Sequence, residues 1–173
     1  MEIRALRQDE WEVSAPALVR ILIEAVQAGA SLGFMQNLGA EIALAFWQGA
    51  FEKIESGEVV IFAAFSGKVL IATTTLRLTT PSNQPHRGEI CKVIVAPSHQ
   101  GLGVGKALMK AAEIAAVEAG KNLLTLDTES ESGAEFFYLS LGWLKVGEIP
   151  RYALSPSGDL HPTSIFYKEF NQS

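Results

Sequence analysis

The order of helical and strand signals along the 173 residues predicts one α+β domain built on a mixed sheet. Three observations carry this. Two helical stretches come first and are followed by a hairpin. A strand, a glycine-rich turn, a helix and a second strand then come in close succession. A short helix and two closing strands complete the chain, and neither a repeat nor a linker interrupts it.

Each element has a local reason. Ile3 to Leu6 can form a short first strand. Ser14 and Pro16 read as a helix start, a capping hydroxyl followed by proline in the first turn. Leu18, Ile21, Leu22, Ala25 and Val26 recur at helical spacing, and Gly29 and Gly33 end that helix. A second helix is expected from about Ala40 to Ile54. Its apolar rows, Ile42-Phe46-Ala50 and Leu44-Trp47-Phe51-Ile54, form a wide face that predicts deep burial. Val59 to Phe65 and Val69 to Leu78 read as a hairpin turning at Ser66-Gly67. Thr79 to Arg87 holds two prolines and is a loop. Glu89 to Val95 is a strand, and Lys106 to Ala119 is a helix with Leu108, Ala111, Ala112 and Ala115 on one face and Gly120 as its cap. Leu123 to Asp127 is a strand. Ala134 to Leu141 is a short helix stopped by Gly142, and Trp143 to Ile149 and Ser164 to Tyr167 are the closing strands.

Composition narrows the function. Hydrophobic residues make up 48% and charged residues 19%, as in a globular protein with a real core. The net charge is −5 and no Lys/Arg cluster occurs, so the footprint of a nucleic-acid partner is absent. No apolar run reaches the ~18 residues of a membrane span, and the charged N-terminus does not read as a targeting signal. The single cysteine, Cys91, cannot form an internal disulfide, which points to a reducing, cytoplasmic setting. His86, His99 and His161 lack metal-motif spacing, so no metal is expected.

The most informative stretch is Val93-Ile-Val-Ala-Pro-Ser-His-Gln-Gly-Leu-Gly-Val-Gly-Lys106. A strand leads through three alternate glycines into a helix. Glycines let the backbone approach a phosphate, and the helix start adds free N–H groups and the positive end of a dipole. Such a loop is a pyrophosphate seat. A Walker loop would need glycine at Gln100 and a hydroxyl at Ala107. The dinucleotide fingerprint would need glycine at Lys106. A third pattern, Gln/Arg-x-x-Gly-x-Gly/Ala, is matched by Gln100, Gly103 and Gly105 at every fixed position.

At this point the sequence resembles the GNAT family of N-acetyltransferases, which use that third loop for the pyrophosphate of coenzyme A. Val93-Ile-Val95 and Pro97 precede the loop at the family's usual distance, and Asp127 ends the next strand. Ala134-Glu-Phe-Phe137-Tyr138 and Leu141-Gly142-Trp143 match the family's A-x-x-F-Y-x-x-x-G-F/W segment. The likeness is good over residues 59–168 and one of layout over the first 55. It implies a mostly antiparallel sheet of six to seven strands flanked by about four helices. It also implies acetyl-CoA held by Val93, Ile94, Val95, Gln100, Gly101, Leu102, Gly103, Val104, Gly105 and Lys106. His86-Arg-Gly-Glu-Ile-Cys-Lys-Val93, Leu126-Asp-Thr128 and Val146-Gly-Glu-Ile-Pro-Arg-Tyr152 further resemble the subgroup that contains the tabtoxin resistance protein, which acetylates a small amino-acid-like toxin. One departure stands out. Where the family often carries a cofactor-bonding asparagine, this chain has Glu131, and no cofactor contact is carried over to it.

The resemblance implies Tyr138, Asp127 and Glu89 as the catalytic set. Tyr138 would stabilise the departing thiolate. Proton transfer from a phenol near pKa ~10 to a thiolate near ~8.5 runs uphill by about 2 kcal/mol, so a hydrogen bond to the sulfur matters more than transfer. Glu89 and Asp127 would anchor the acceptor ammonium and order water that removes its proton. Backbone N–H groups near Val93 to Val95 would meet the oxyanion. Cys91 reads as a packing residue rather than a nucleophile. His86 and His99 read as loop residues, and Phe34, Phe46 and Trp47 as core or pocket wall under helices that roof the acceptor site.

The expected activity is transfer of an acetyl group from acetyl-CoA to a primary amine of a small molecule by direct attack in a ternary complex. An enzyme acting on proteins or peptides, and a non-catalytic acyl-CoA-binding module, are the rivals. Neither nucleic acid nor membrane is an expected partner, and the reading leaves room for a homodimer.

Overall fold

A computed structural model describes residues 1–170. Its seven strands form one sheet in the order β1-β2-β3-β4-β5-β7-β6. In chain order these are β1 (Glu2–Ala5), β2 (Val59–Ser66), β3 (Val69–Arg77), β4 (Arg87–Val95), β5 (Leu123–Glu129), β6 (Leu144–Leu154) and β7 (Leu160–Glu169). The four helices are α1 (Trp11–Gln27), α2 (Ala40–Phe51), α3 (Val104–Glu118) and α4 (Gly133–Ser140). All neighbouring pairs are antiparallel except β4–β5. The crossover through α3 is what makes that pair parallel. The α+β class and the mixed, mostly antiparallel sheet are as the sequence predicts.

The sheet has a core on each face. Leu108, Met109, Ala112 and Ala116 of α3 pack on Ile90, Leu124, Leu126, Trp143 and Phe166. The alanines let α3 sit close to the strands. Leu18, Ile21, Leu22 and Val26 of α1 and Trp47 of α2 pack on Ile61, Ala63, Leu70 and Ile94. The buried Trp47 Nε1 donates to the Leu18 carbonyl at 3.1 Å and fixes α1 against α2.

Two sequence expectations change. The first helical segment does not start at Ser14. A 3-10 turn at Gln8–Glu10 leads into α1 at Trp11, and the Glu10 carboxylate accepts from the Arg7 N–H at 2.9 Å. Glu10 stands at the position before α1 without capping it through its side chain, while Ser14 is buried and Pro16 lies inside the helix. The second helix is not buried all round. Ile42 is 59% and Leu44 43% exposed, because the fully buried row runs through Ala43, Trp47 and Phe51 and faces α1 and the sheet core.

Two irregularities in β4 open the sheet beside it. Its pairing with β5 covers only Arg87 to Glu89 opposite Leu123 to Thr125. Beyond Glu89 the two strands diverge, and the backbone groups of β4 that face β5 lose their strand partner. On its other side β4 bulges. Thr75 pairs with Cys91 and Thr73 with Ile94, so Thr74 faces two residues, Lys92 and Val93. Lys92 takes up the distortion with a φ of +53°.

Candidate active site

The wedge between the diverging ends of β4 and β5 is a cavity of about 550 Å³. Its floor is Ile90 to Val93 of β4 and Asp127 to Glu129 of β5. The segment from Ala28 to Gly33 roofs it, the start of α4 and Tyr138 close one side, and Tyr152 to Leu154 of β6 close another. Gln100 stands at the cavity's glycine-loop end.

The loop itself has the form of an anion seat. Gly101 and Gly103 have φ of +73° and +78°, a left-handed backbone that favours glycine. A Cβ on either would meet nothing within 4 Å, so open space lies over both. Gly103 caps α3, and the first backward bond of the helix comes from the Ala107 N–H at 3.1 Å. The N–H groups of Val104, Gly105 and Lys106 therefore have no helical acceptor and point out of the helix start. Gly105 has another reason to be glycine. A Cβ there would lie 3.2 Å from the Phe137 ring and 3.6 Å from Val95 Cγ2. Gln100 Nε2 donates to the Val95 carbonyl at 3.2 Å and ties the loop back to its strand.

Tyr138 and Asp127 both line the cavity, on α4 and at the open end of β5. Tyr138 is 7% exposed, and its ring packs against Phe137, Trp143 and Phe166 at centroid distances of 5.3, 6.3 and 6.2 Å. Burial, and then the charge of Asp127, push its hydroxyl well above the usual tyrosine range. That hydroxyl is a donor that keeps its proton. Asp127 is exposed and forms no ion pair among the described residues. Glu89 lies elsewhere. It is not part of the cavity wall, and its carboxylate pairs with Arg77 of β3 at 3.4 Å. Val93 lines the cavity, Ile94 is buried in the α1/α2 core, and Val95 faces Gly105. Glu131 adopts a φ of +60°, and its N–H donates to Glu135 Oε2 at 2.5 Å.

Cys91 is half-buried in the cavity floor. Burial raises its pKa, so it is held as a neutral thiol. Among the described residues no group of three or more His, Cys, Asp or Glu could hold a metal ion. No helix there is long and apolar enough to cross a membrane.

Three features of the cavity have no counterpart in the sequence expectations. Lys92 lines it beside Cys91, and burial lowers its pKa. Glu129 contributes a carboxylate with one oxygen 3.3 Å from His161 Nδ1 and the other buried without a hydrogen-bond partner. Tyr152 reaches the cavity because β6 bulges between Ile149 and Ala153. Period-two alternation from Asp127 would have reached Glu129. Pro150, inside the β6 bulge, is a local signal for that irregularity, whereas the β4 bulge at Lys92 has none.

The model of the acetyltransferase (GNAT) family matches residues 21–143. The chain belongs to the GNAT acetyltransferase family. Solved structures share its fold at low identity. The yncA protein of Salmonella typhimurium, solved with its cofactor acetyl-CoA, superposes with a TM-score of 0.81 at 18% identity, over 100% of this chain and 95% of that one. Ribosomal-protein-alanine N-acetyltransferase from Brucella melitensis gives 0.80 at 19%, over 98% and 100%. A GCN5-related N-acetyltransferase from Kribbella flavida gives 0.76 at 19%, over 98% and 97%.

Proposed function

We propose that this GNAT protein transfers an acetyl group from acetyl-CoA to the primary amine of a small molecule by direct attack. The observation that carries the reading is the cavity itself. It reaches Gln100 at the start of the glycine loop, lies under the Ala28–Gly33 roof, and has Tyr138 and Asp127 in its wall. Acetyl-CoA fits the seat on physical grounds, since open space lies over Gly101 and Gly103 and three unpaired N–H groups lie behind it. The Salmonella neighbour, which holds acetyl-CoA on the same fold, supports this.

Acetyl-CoA supplies an acetyl thioester, whose C–S bond gives way as the acceptor nitrogen bonds the acetyl carbon. The chain's residues prepare that exchange. An alkyl amine with pKa ~10 arrives mostly protonated. Asp127 holds the ammonium and orders water that carries its proton to solvent. The backbone N–H groups of β4 near Val93 to Val95, on the side β5 has left, receive the negative charge on the acetyl oxygen. Tyr138 donates a hydrogen bond to the leaving sulfur. Its raised pKa disfavours full proton transfer further, so the role is that of a donor. The neutral, half-buried Cys91 favours direct attack over an acyl-enzyme. Glu89, tied to Arg77 outside the cavity, has a supporting role through the strand it shares with Cys91 and Lys92.

A small acceptor is favoured by the roof over the cavity and by the likeness to the tabtoxin-resistance subgroup. The Brucella neighbour, named for ribosomal-protein alanine, favours a second reading in which a peptide N-terminus enters. A homodimer is compatible with either reading, because β6 is an exposed edge strand with Leu144, Val146 and Ile149 open to solvent. The test is a thiol-release screen over amino acids, polyamines, aminoglycosides and peptides, with mass analysis of the products. Acetylation of a small amine supports the proposal. Acetylation of peptides alone replaces it with the second reading.

A further inference from the structure

We propose that Lys92 is the pin that holds the roof of the acceptor cavity, and so sets how tightly the acceptor is bound. The inference rests on the cavity being an acceptor site, as proposed above. The roof, Ala28 to Gly33, is made of small residues apart from Leu32 and has little side chain with which to hold itself down. One end is fixed by α1, where the Ala30 N–H reaches the Ala25 carbonyl at 2.9 Å. Further on, the Gln36 N–H donates to the Pro156 carbonyl at 3.0 Å. Between those two points Lys92 supplies the tie from the sheet. Its Nζ donates to the Leu32 carbonyl at 2.7 Å. The same ammonium lies 5.7 Å from the Phe34 ring and 5.5 Å from the Phe46 ring, which meet edge to face at 5.3 Å. One side chain thus joins β4, the roof and α2.

The backbone is distorted to make this possible. Glu89 and Cys91 share one face of β4, and plain alternation would put position 92 on the opposite, α3-facing side. The bulge opposite Thr74 and the left-handed φ of Lys92, a conformation lysine rarely adopts, turn its side chain toward the roof instead. With its ammonium already engaged by Leu32, Lys92 is a positioning residue.

The test is Lys92→Met, which keeps an unbranched stem and removes the ammonium. Lys121→Met is the control, because Lys121 Nζ makes a similar clasp to the Pro85 carbonyl at 2.7 Å away from the cavity. Two quantities are read: amide hydrogen exchange over residues 28–36, and steady-state kinetics with an acceptor that the thiol-release screen identifies. In Lys92→Met, exchange over 28–36 should rise several-fold while the β2–β3 hairpin is unchanged. Acceptor KM should rise by roughly ten-fold, with kcat and acetyl-CoA affinity unchanged. The control should alter neither. Unchanged exchange over 28–36 overturns the pin, as does faster exchange without a change in acceptor KM, or a loss confined to kcat. The exchange arm needs no turnover. A wild-type protein that acetylates nothing therefore sinks the proposed function without being mistaken for failure of the pin.

Discussion

Replacing Tyr138 with phenylalanine removes one oxygen and leaves the ring. The ring is what the fold uses, through its contacts with Phe137, Trp143 and Phe166. The hydroxyl bonds no other group among the described residues, so its removal orphans no partner in the core, and the melting temperature should hold. The cost should fall on the reaction. A hydrogen bond to a developing thiolate is charge-assisted and worth about 1.5–3 kcal/mol, which is a fall in kcat of roughly ten- to a hundred-fold. Acetyl-CoA affinity should barely change, because the bond strengthens only as charge reaches the sulfur. Steady-state kinetics beside a binding isotherm would read both quantities. Wild-type kcat in Tyr138→Phe, with chemistry shown to be rate-limiting, would take Tyr138 out of the mechanism and leave it a packing residue.

Asp127→Asn should lower turnover most near neutral pH, and the deficit should shrink as pH approaches ~10, where the amine loses its proton unaided. A deficit that is flat in a pH–rate profile would assign Asp127 a structural part. Glu10→Gln tests the tie between β1 and the 3-10 turn before α1. Hydrogen bonds from Arg4 at 2.7 and 2.9 Å, set against some desolvation and helped by the Arg7 N–H, hold the Glu10 carboxyl below its ordinary value. A depressed folded pKa gives stability that is present above the unfolded value and lost as pH falls through the folded one. Glu10→Gln should therefore melt a few degrees lower at neutral pH and converge with wild type only as pH falls below the ordinary glutamate range, which thermal scans across pH would check.

Legibility in the sequence tracks the range of the forces involved. The β2–β3 hairpin, α3 and the glycine loop are set by local periodicity and turn chemistry, and their positions can be read to within a residue or two. The start of α1 is misleading because a serine before a proline imitates a cap. The helix is instead entered from a 3-10 turn that the Glu10 carboxylate closes by accepting from the Arg7 N–H. The burial of α2 is overstated by its sequence because a uniformly apolar composition cannot say which row meets the core. The site divides in the same way. Gln100 to Lys106, Asp127 and Tyr138 carry pattern. Lys92, Glu129 and Tyr152 enter the cavity through two bulges and a strand divergence, which depend on pairing between distant segments. Glu89 looks equivalent to Asp127 in the sequence, yet it precedes the divergence and faces Arg77.

Whether the loop from Gln100 to Lys106 seats the pyrophosphate of acetyl-CoA can be decided by one comparison of binding isotherms. Gly103→Val and Gly67→Val both place a branched side chain at a left-handed glycine, with φ of +78° and +60°, and neither new Cβ meets another atom within 4 Å. The backbone strain is alike, so both proteins should lose similar stability. Only Gly103 lies at the start of α3, where the phosphates would approach. Gly67→Val should bind acetyl-CoA as wild type does, while Gly103→Val should bind at least about ten-fold more weakly, a difference of ~1.4 kcal/mol. Equal affinity in the two mutants would contradict a pyrophosphate seat at this loop.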